Sequence, residues 1–151
     1  MKIYYRACEK MHTVSGVARW HGENKIDIVK KCWLSMQPTI TENDETILFN
    51  DNMSQETVDF LLNSTKSKTQ VINIPEHKVE DRLHTYQLVK HFGRFISDCN
   101  DDNEIHYLVE DDYLHTVYGI GLMKEMFEHW YFHIGLLVSL NPPSAYWYRV
   151  S

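Results

Sequence analysis

Three consecutive acids, Glu110, Asp111 and Asp112, follow directly on an apolar run at 105–109. The run has strand length and strand composition, with Ile, Tyr, Leu and Val dominating. Strands buried on both faces read as near-continuous hydrophobic runs, the pattern of parallel sheets in α/β proteins. In open α/β sheets, ligands bind outside the carboxyl ends of the strands. The three carboxylates therefore stand where a ligand is expected. Adjacent carboxylates repel, and a hard divalent cation such as Mg²⁺ or Mn²⁺ relieves that repulsion through oxygen ligands. The competing reading is a solvated acidic turn. A second strand end carries Asp51-Asn52-Met53-Ser54 after an apolar stretch at 46–49. If both ends face one crevice, a carboxylate at the first accepts hydrogen bonds from a base or sugar. The acids at the second then hold a metal that bridges a diphosphate.

Other chemistry-bearing residues have weaker patterns. His129 and His133 have the i, i+4 spacing of helical zinc sites, but the predicted helix ends between them and no third ligand is evident. His77, His84 and His91 recur every seven residues, which fits a solvated helix face better than a metal stripe. His115 follows the acids closely enough to touch a phosphate. Cys8 lacks a neighbouring base and is a poor candidate nucleophile. Trp20-His21 and Tyr146-Trp147-Tyr148 offer stacking surfaces, though such aromatics more often complete a core or a homo-oligomer contact.

The elements that would position these groups alternate along the chain. Candidate strands cover 3–6, 46–49, 71–74, 105–109 and 133–140, and candidate helices cover 25–37, 55–62, 79–97 and 117–130. Ile26, Val29, Trp33 and Met36 share one helix face, with Asn24 as a cap and Pro38 ending the pattern. Ser54 caps the second helix, with Glu56 in its first turn. Residues 7–24 show no period and read as a long loop. Alternation of this kind predicts an α/β fold, a mostly parallel sheet flanked by helices in three layers.

The chain has 151 residues, 43% hydrophobic and 24% charged, which suits a single globular domain over 1–151. A formal net charge of −6 argues against nucleic acid or an anionic membrane as the main partner. Three scattered cysteines, Cys8, Cys32 and Cys99, make neither a zinc pattern nor a disulfide framework, so a cytoplasmic setting is expected. The N-terminus is too polar for a signal peptide, and no apolar run reaches the ~20 residues of a membrane span.

Three stretches resemble a known family, the nucleotide-sugar glycosyltransferases of GT-A fold, especially family 2-like enzymes. M-K-I-Y-Y-R at 1–6 resembles the family's opening strand, F-N-D-N-M-S-Q-E-T at 49–57 resembles its acidic, helix-capping strand end, and L-V-E-D-D-Y-L-H at 108–115 resembles its D-x-D element. The nearest likeness is to short, viral or phage-type glycosyltransferase-like proteins. The resemblance implies transfer of a sugar from a UDP- or GDP-sugar to an acceptor it does not identify, in the host cytoplasm if the protein is viral. It implies nucleotide contacts from Tyr5, Arg6, Asp51 and Asp111, a metal (Mn²⁺ or Mg²⁺) on Asp112 with Glu110, and a phosphate contact from His115. Since the acceptor half normally follows the D-x-D element, the resemblance leaves open a truncated, degenerate or non-catalytic relative, or one that borrows the missing part from another subunit. No Asp or Glu occurs after Glu128, so no catalytic base is assigned. Glu110 stands where the family commonly has Asp, and the stretch after the third strand lacks small residues suited to a sugar diphosphate. Two rival functions stay open. One is a non-enzymatic α/β interaction module. The other is a Mg²⁺-dependent phosphoryl-transfer enzyme using the same acids, although no G-x-x-x-x-G-K-S/T loop is present.

Overall fold

The computed structural model describes residues 1–9, 24–74, 104–111, 113–129, 134–136 and 147–149. Four strands form one all-parallel sheet: β1 (Lys2–Cys8), β2 (Glu45–Asp51), β3 (Lys68–Asn73) and β4 (His106–Glu110). Their spatial order is β3-β2-β1-β4. The chain thus steps outward from β1 through β2 to β3, then crosses back so that β4 lies on the other side of β1. The order reverses between β1 and β4, and such a reversal opens a crevice at the carboxyl ends of the two strands.

Three helices are described: α1 (Lys25–Met36), α2 (Gln55–Asn63) and α3 (Gly119–His129). The side chain of Asn24 accepts from the Ile26 amide and starts α1, and Ser54 does the same for α2 through the Thr57 amide. Both caps lie at the carboxyl edge of the sheet, because each helix follows a strand. Pro38 does not stop the coil abruptly. It is taken into a 3₁₀ turn, Gln37–Thr39, because proline fits the first turn of a helix where its missing N–H is not required.

The core divides by strand alternation. Ile3, Tyr5 and Ala7 of β1 join Leu48 and Val109 in a cluster with Val29, Trp33 and Met36 of α1, Val58 and Leu61 of α2, and Ile120 and Met123 of α3. Tyr4, Ile47, Phe49 and Ile74 form a second buried cluster with Ile72 and Leu108 against it. Both faces of the sheet are therefore apolar, as the near-continuous runs in β1, β2 and β4 predict. The helix expected over 79–97 lies outside the described residues.

Two differences from the sequence reading have clear causes. Strands β1 and β2 extend past the apolar stretches, to Cys8 and Asp51, because seven consecutive pairs hold them in register. The described part of the strand expected over 133–140, β5 (Ile134–Leu136), pairs antiparallel with β6 (Trp147–Arg149) in a separate two-stranded sheet. A parallel pair requires a crossover of about a dozen residues or more, and the stretch 137–146 between the two strands is shorter than that. No helix among the described residues is long and apolar enough to cross a membrane.

Candidate functional site

The register places the charged residues of the carboxyl edge side by side. Cys8 lies opposite Asp51, and Arg6 lies opposite Glu110. Alternation puts Arg6, Asp51 and Glu110 on the sheet face that carries Tyr4, Phe49 and Leu108. Arg6 Nη2 donates to Asp51 Oδ2 at 3.0 Å, and Nη1 approaches Glu110 Oε1 at 3.5 Å. The two pairs differ in kind. The Asp51 side chain is 1% exposed and that of Glu110 is 51% exposed. Breaking a buried pair by removing one partner costs about 3–5 kcal/mol. A half-exposed pair contributes about 0–1 kcal/mol. Asp51 is thus the fixed partner of Arg6, and Glu110 is the exchangeable one. Arg6 Nε is buried and has no hydrogen-bond partner among the described residues.

Asp111 points the other way, into the protein. Its Oδ2 accepts from the Cys8 amide at 2.7 Å and its Oδ1 accepts from Lys25 Nζ at 2.5 Å. Lys25 is the first residue of α1, and its side chain is 7% exposed. The middle acid of the triplet therefore ties the end of β4 to the end of β1 and to the start of α1. Lys25 was not singled out by sequence reasoning, yet a signal was available. A lysine in the first turn sits at the positive end of the helix dipole, which disfavours it unless a carboxylate compensates.

The start of α2 is also occupied from within. Ser54 Oγ donates to Glu9 Oε1 at 2.6 Å while accepting from the Thr57 amide. Burial pushes the Glu9 carboxyl up, but the hydrogen bonds from Ser54 and Thr57 and the charge of Lys30 outweigh it and hold the group below its ordinary value. A carboxylate of the chain itself thus stands where an anion would otherwise meet the helix N-terminus. Between β2 and α2, Asn52 adopts φ 57°, and the Met53 amide donates to Asn50 Oδ1 at 2.8 Å.

Two of the residues expected to meet a ligand lie away from this edge. Tyr5 is fully buried, packed edge-on against Trp33 with ring centroids 5.0 Å apart, and its hydroxyl faces the Val29 carbonyl at 3.4 Å. His115 is fixed between α1 and β4: Tyr107 Oη lies 2.7 Å from Nε2, and Ser35 Oγ lies 3.4 Å from Nδ1. Ser35 uses its single proton on the Cys32 carbonyl at 2.6 Å, so it accepts from the His115 amide and from Nδ1–H. Nε2 then carries the lone pair and takes the Tyr107 proton. Burial pushes the His115 imidazole down to about 4 and the Tyr107 phenol up to about 12, so both are neutral at pH 7. Tyr107 is three residues before Glu110, about 10 Å along the strand.

Whether this edge fits a divalent cation follows from its donors. Asp51 and Asp111 are engaged by Arg6 and Lys25, and no group of three acidic, histidine or cysteine ligands occurs among the described residues. Glu110 is an open carboxylate of this edge, with its side chain 51% exposed. A metal held here would take Glu110 and Asp112, and Asp112 lies outside the described residues, as do His133 and the side chain of His129.

Comparison with models of known protein families, with curated proteins and with solved structures finds no match.

Proposed function

We propose that the carboxyl edge between β1 and β4 binds a nucleoside diphosphate sugar, and that the protein is a metal-dependent glycosyltransferase of GT-A type or a relative that retains donor binding. The observation that carries this reading is the order reversal at β1 and β4, with Arg6, Asp51 and Glu110 brought together at that point. Ligands of open α/β sheets bind at such a reversal. The resemblance of 1–6, 49–57 and 108–115 to the glycosyltransferase islands supports the same edge. In this reading Asp51 orients Arg6, Arg6 meets the diphosphate, and Glu110 with Asp112 holds the metal. A bound Mn²⁺ or Mg²⁺ would neutralise the leaving diphosphate. Asp111 and Lys25 set the position of the β4 end.

A calorimetric titration with UDP and GDP, with and without Mn²⁺, tests this directly. Metal-dependent binding of either nucleotide is expected. Asp112→Ala should abolish it while the thermal melt stays as in the parent. Normal UDP and Mn²⁺ binding by that variant would remove Asp112 from the site.

One observation favours a second reading. Asp51 and Asp111 are both paired with basic residues of the chain, as in a scaffold whose charges serve the fold. A well-folded protein that binds neither nucleotide, with or without metal, would be such a non-enzymatic α/β module.

A further inference from the structure

Among the described residues, Lys25 and Arg6 are basic side chains at the carboxyl edge, and their surroundings distinguish them. Lys25 is nearly enclosed and held by Asp111, which is itself fixed by the Cys8 amide. The N-terminus of α2 is covered by Glu9 through Ser54. Each is already met by a carboxylate of the chain itself. Arg6 is different. Its side chain is 19% exposed, one partner is buried and close, and the other is half-exposed and more distant. A guanidinium offers five N–H groups in a planar fork that matches phosphate oxygens two at a time. Asp51 takes one from Nη2, Glu110 lies near Nη1, and the buried Nε has no partner among the described residues.

We propose that Arg6 is the phosphate-binding residue of this edge, and that Glu110 holds its place until a diphosphate displaces it. This rests on the nucleotide-sugar reading only in taking the diphosphate to be part of a donor. The exchange occurs on the Glu110 side. A phosphate oxygen replaces a carboxylate oxygen that lies 3.5 Å from Nη1 on a half-exposed side chain. Asp51 stays on Nη2 throughout and keeps the fork oriented. Phosphate and Glu110 therefore compete for Arg6, so the site favours a ligand with at least two anionic oxygens over a monoanion.

The test uses pyrophosphate as probe, titrated calorimetrically into the metal-free protein in EDTA. Glu110→Gln removes the competing charge and should tighten pyrophosphate binding about threefold to fivefold, the range that loss of a half-exposed ion pair allows. Glu9→Gln removes a carboxylate from the same edge that does not pair with Arg6, and should give a smaller gain. In an Arg6→Lys background, which keeps the charge but not the fork, Glu110→Gln should give no gain. Three results would overturn the proposal: equal affinity of Glu110→Gln and the parent, including no binding by either; an equal gain from Glu9→Gln; or a gain that persists with Lys at position 6. Should Arg6→Lys fail to fold, the comparison of Glu110→Gln with Glu9→Gln decides alone. UDP and GDP titrations separate this from the donor reading. A Glu110 effect on pyrophosphate with no preference for either nucleotide leaves the exchange standing and removes the nucleotide. Metal-dependent UDP binding with no Glu110 effect does the reverse.

Discussion

Asp111 accepts from a backbone amide of β1 and from an ammonium at the start of α1, so one carboxylate joins three chain segments. That role differs from that of Glu110, its neighbour in the triplet. Glu110 lies half in solvent beside Arg6, while Asp111 is buried. Consecutive residues at a strand end point to opposite sides, which is why Glu110 and Asp111 need not compete for one space. Removing the charge of Asp111 strands the Lys25 ammonium where only 7% of its side chain meets water. Asp111→Asn should therefore destabilise the fold by about 3 kcal/mol. The urea unfolding midpoint should fall. The double change Lys25→Met with Asp111→Leu should recover much of the loss, because two apolar groups leave no buried charge behind. An unchanged midpoint for Asp111→Asn would show that the pair contributes nothing to the fold.

At the scale of elements, the turn from β2 to α2 is held in one geometry by its own side chains. Asn52 sits at φ 57°, in the left-handed region that most L-residues avoid and asparagine tolerates. Its neighbours are fixed as well. Asn50 Oδ1 accepts from the Met53 amide, and Asn50 Nδ2 donates to Asn73 Oδ1 of β3 at 2.8 Å. The turn holds Asp51 at the strand end and Ser54 at the helix cap in one geometry. Asn52→Ala should lower stability by about 1 kcal/mol, since a Cβ-bearing residue without a local hydrogen-bonding side chain pays the left-handed penalty. Asn52→Gly should leave stability within about 0.5 kcal/mol of the parent. Thermal melts of the two variants distinguish this from a side-chain role, in which glycine would be as harmful as alanine.

For the whole molecule, two part-buried polar networks at a distance from the carboxyl edge contribute to the response to pH. Asp44, just before β2, accepts from Thr41 N and Oγ1 and from Lys124 Nζ of α3, the last at 2.7 Å and 2.9 Å. Burial pushes its carboxyl up, but the hydrogen bonds and charge of Lys124 and the bonds from Thr41 overcome this and hold it below its ordinary 3.8. His115 is displaced from 6.5 to about 4 by burial, against a smaller upward effect of a backbone hydrogen bond at Tyr113. A folded histidine that resists protonation makes the unfolded state the better proton binder between those values. Stability should thus be full above pH 6.5, decline as pH falls toward 4, and lose up to about 3 kcal/mol over that window. The Asp44 contribution has a lower window. It is present above 3.8 and is lost as acid protonates the folded carboxylate. A pH series of urea unfolding curves should show the upper decline in the parent and lose it in His115→Gln.

The sequence by itself determined the parallel α/β arrangement. Near-continuous apolar runs at 105–109 and 46–49, helix caps at Asn24 and Ser54, and the alternation of strand and helix depend on neighbours close in the chain, and period and capping are local physics. It also placed Asp51 and Glu110 at strand ends, because an apolar run that meets a charge tends to stop there. Partners were not legible. Nothing local links Lys25 to Asp111, Arg6 to both Asp51 and Glu110, or Ser35 to His115, since each contact depends on strand order and register. The order β3-β2-β1-β4 sets β1 between β2 and β4, and only then do Arg6, Asp51 and Glu110 meet. The same folding takes Tyr5 into the core and His115 into part-buried contacts with Tyr107 and Ser35. Residue types and spacing set which side chains are available for chemistry. Tertiary structure decided which of them are already neutralised by one another, because the energy of a charge depends on its burial and on the partner that burial brings to it.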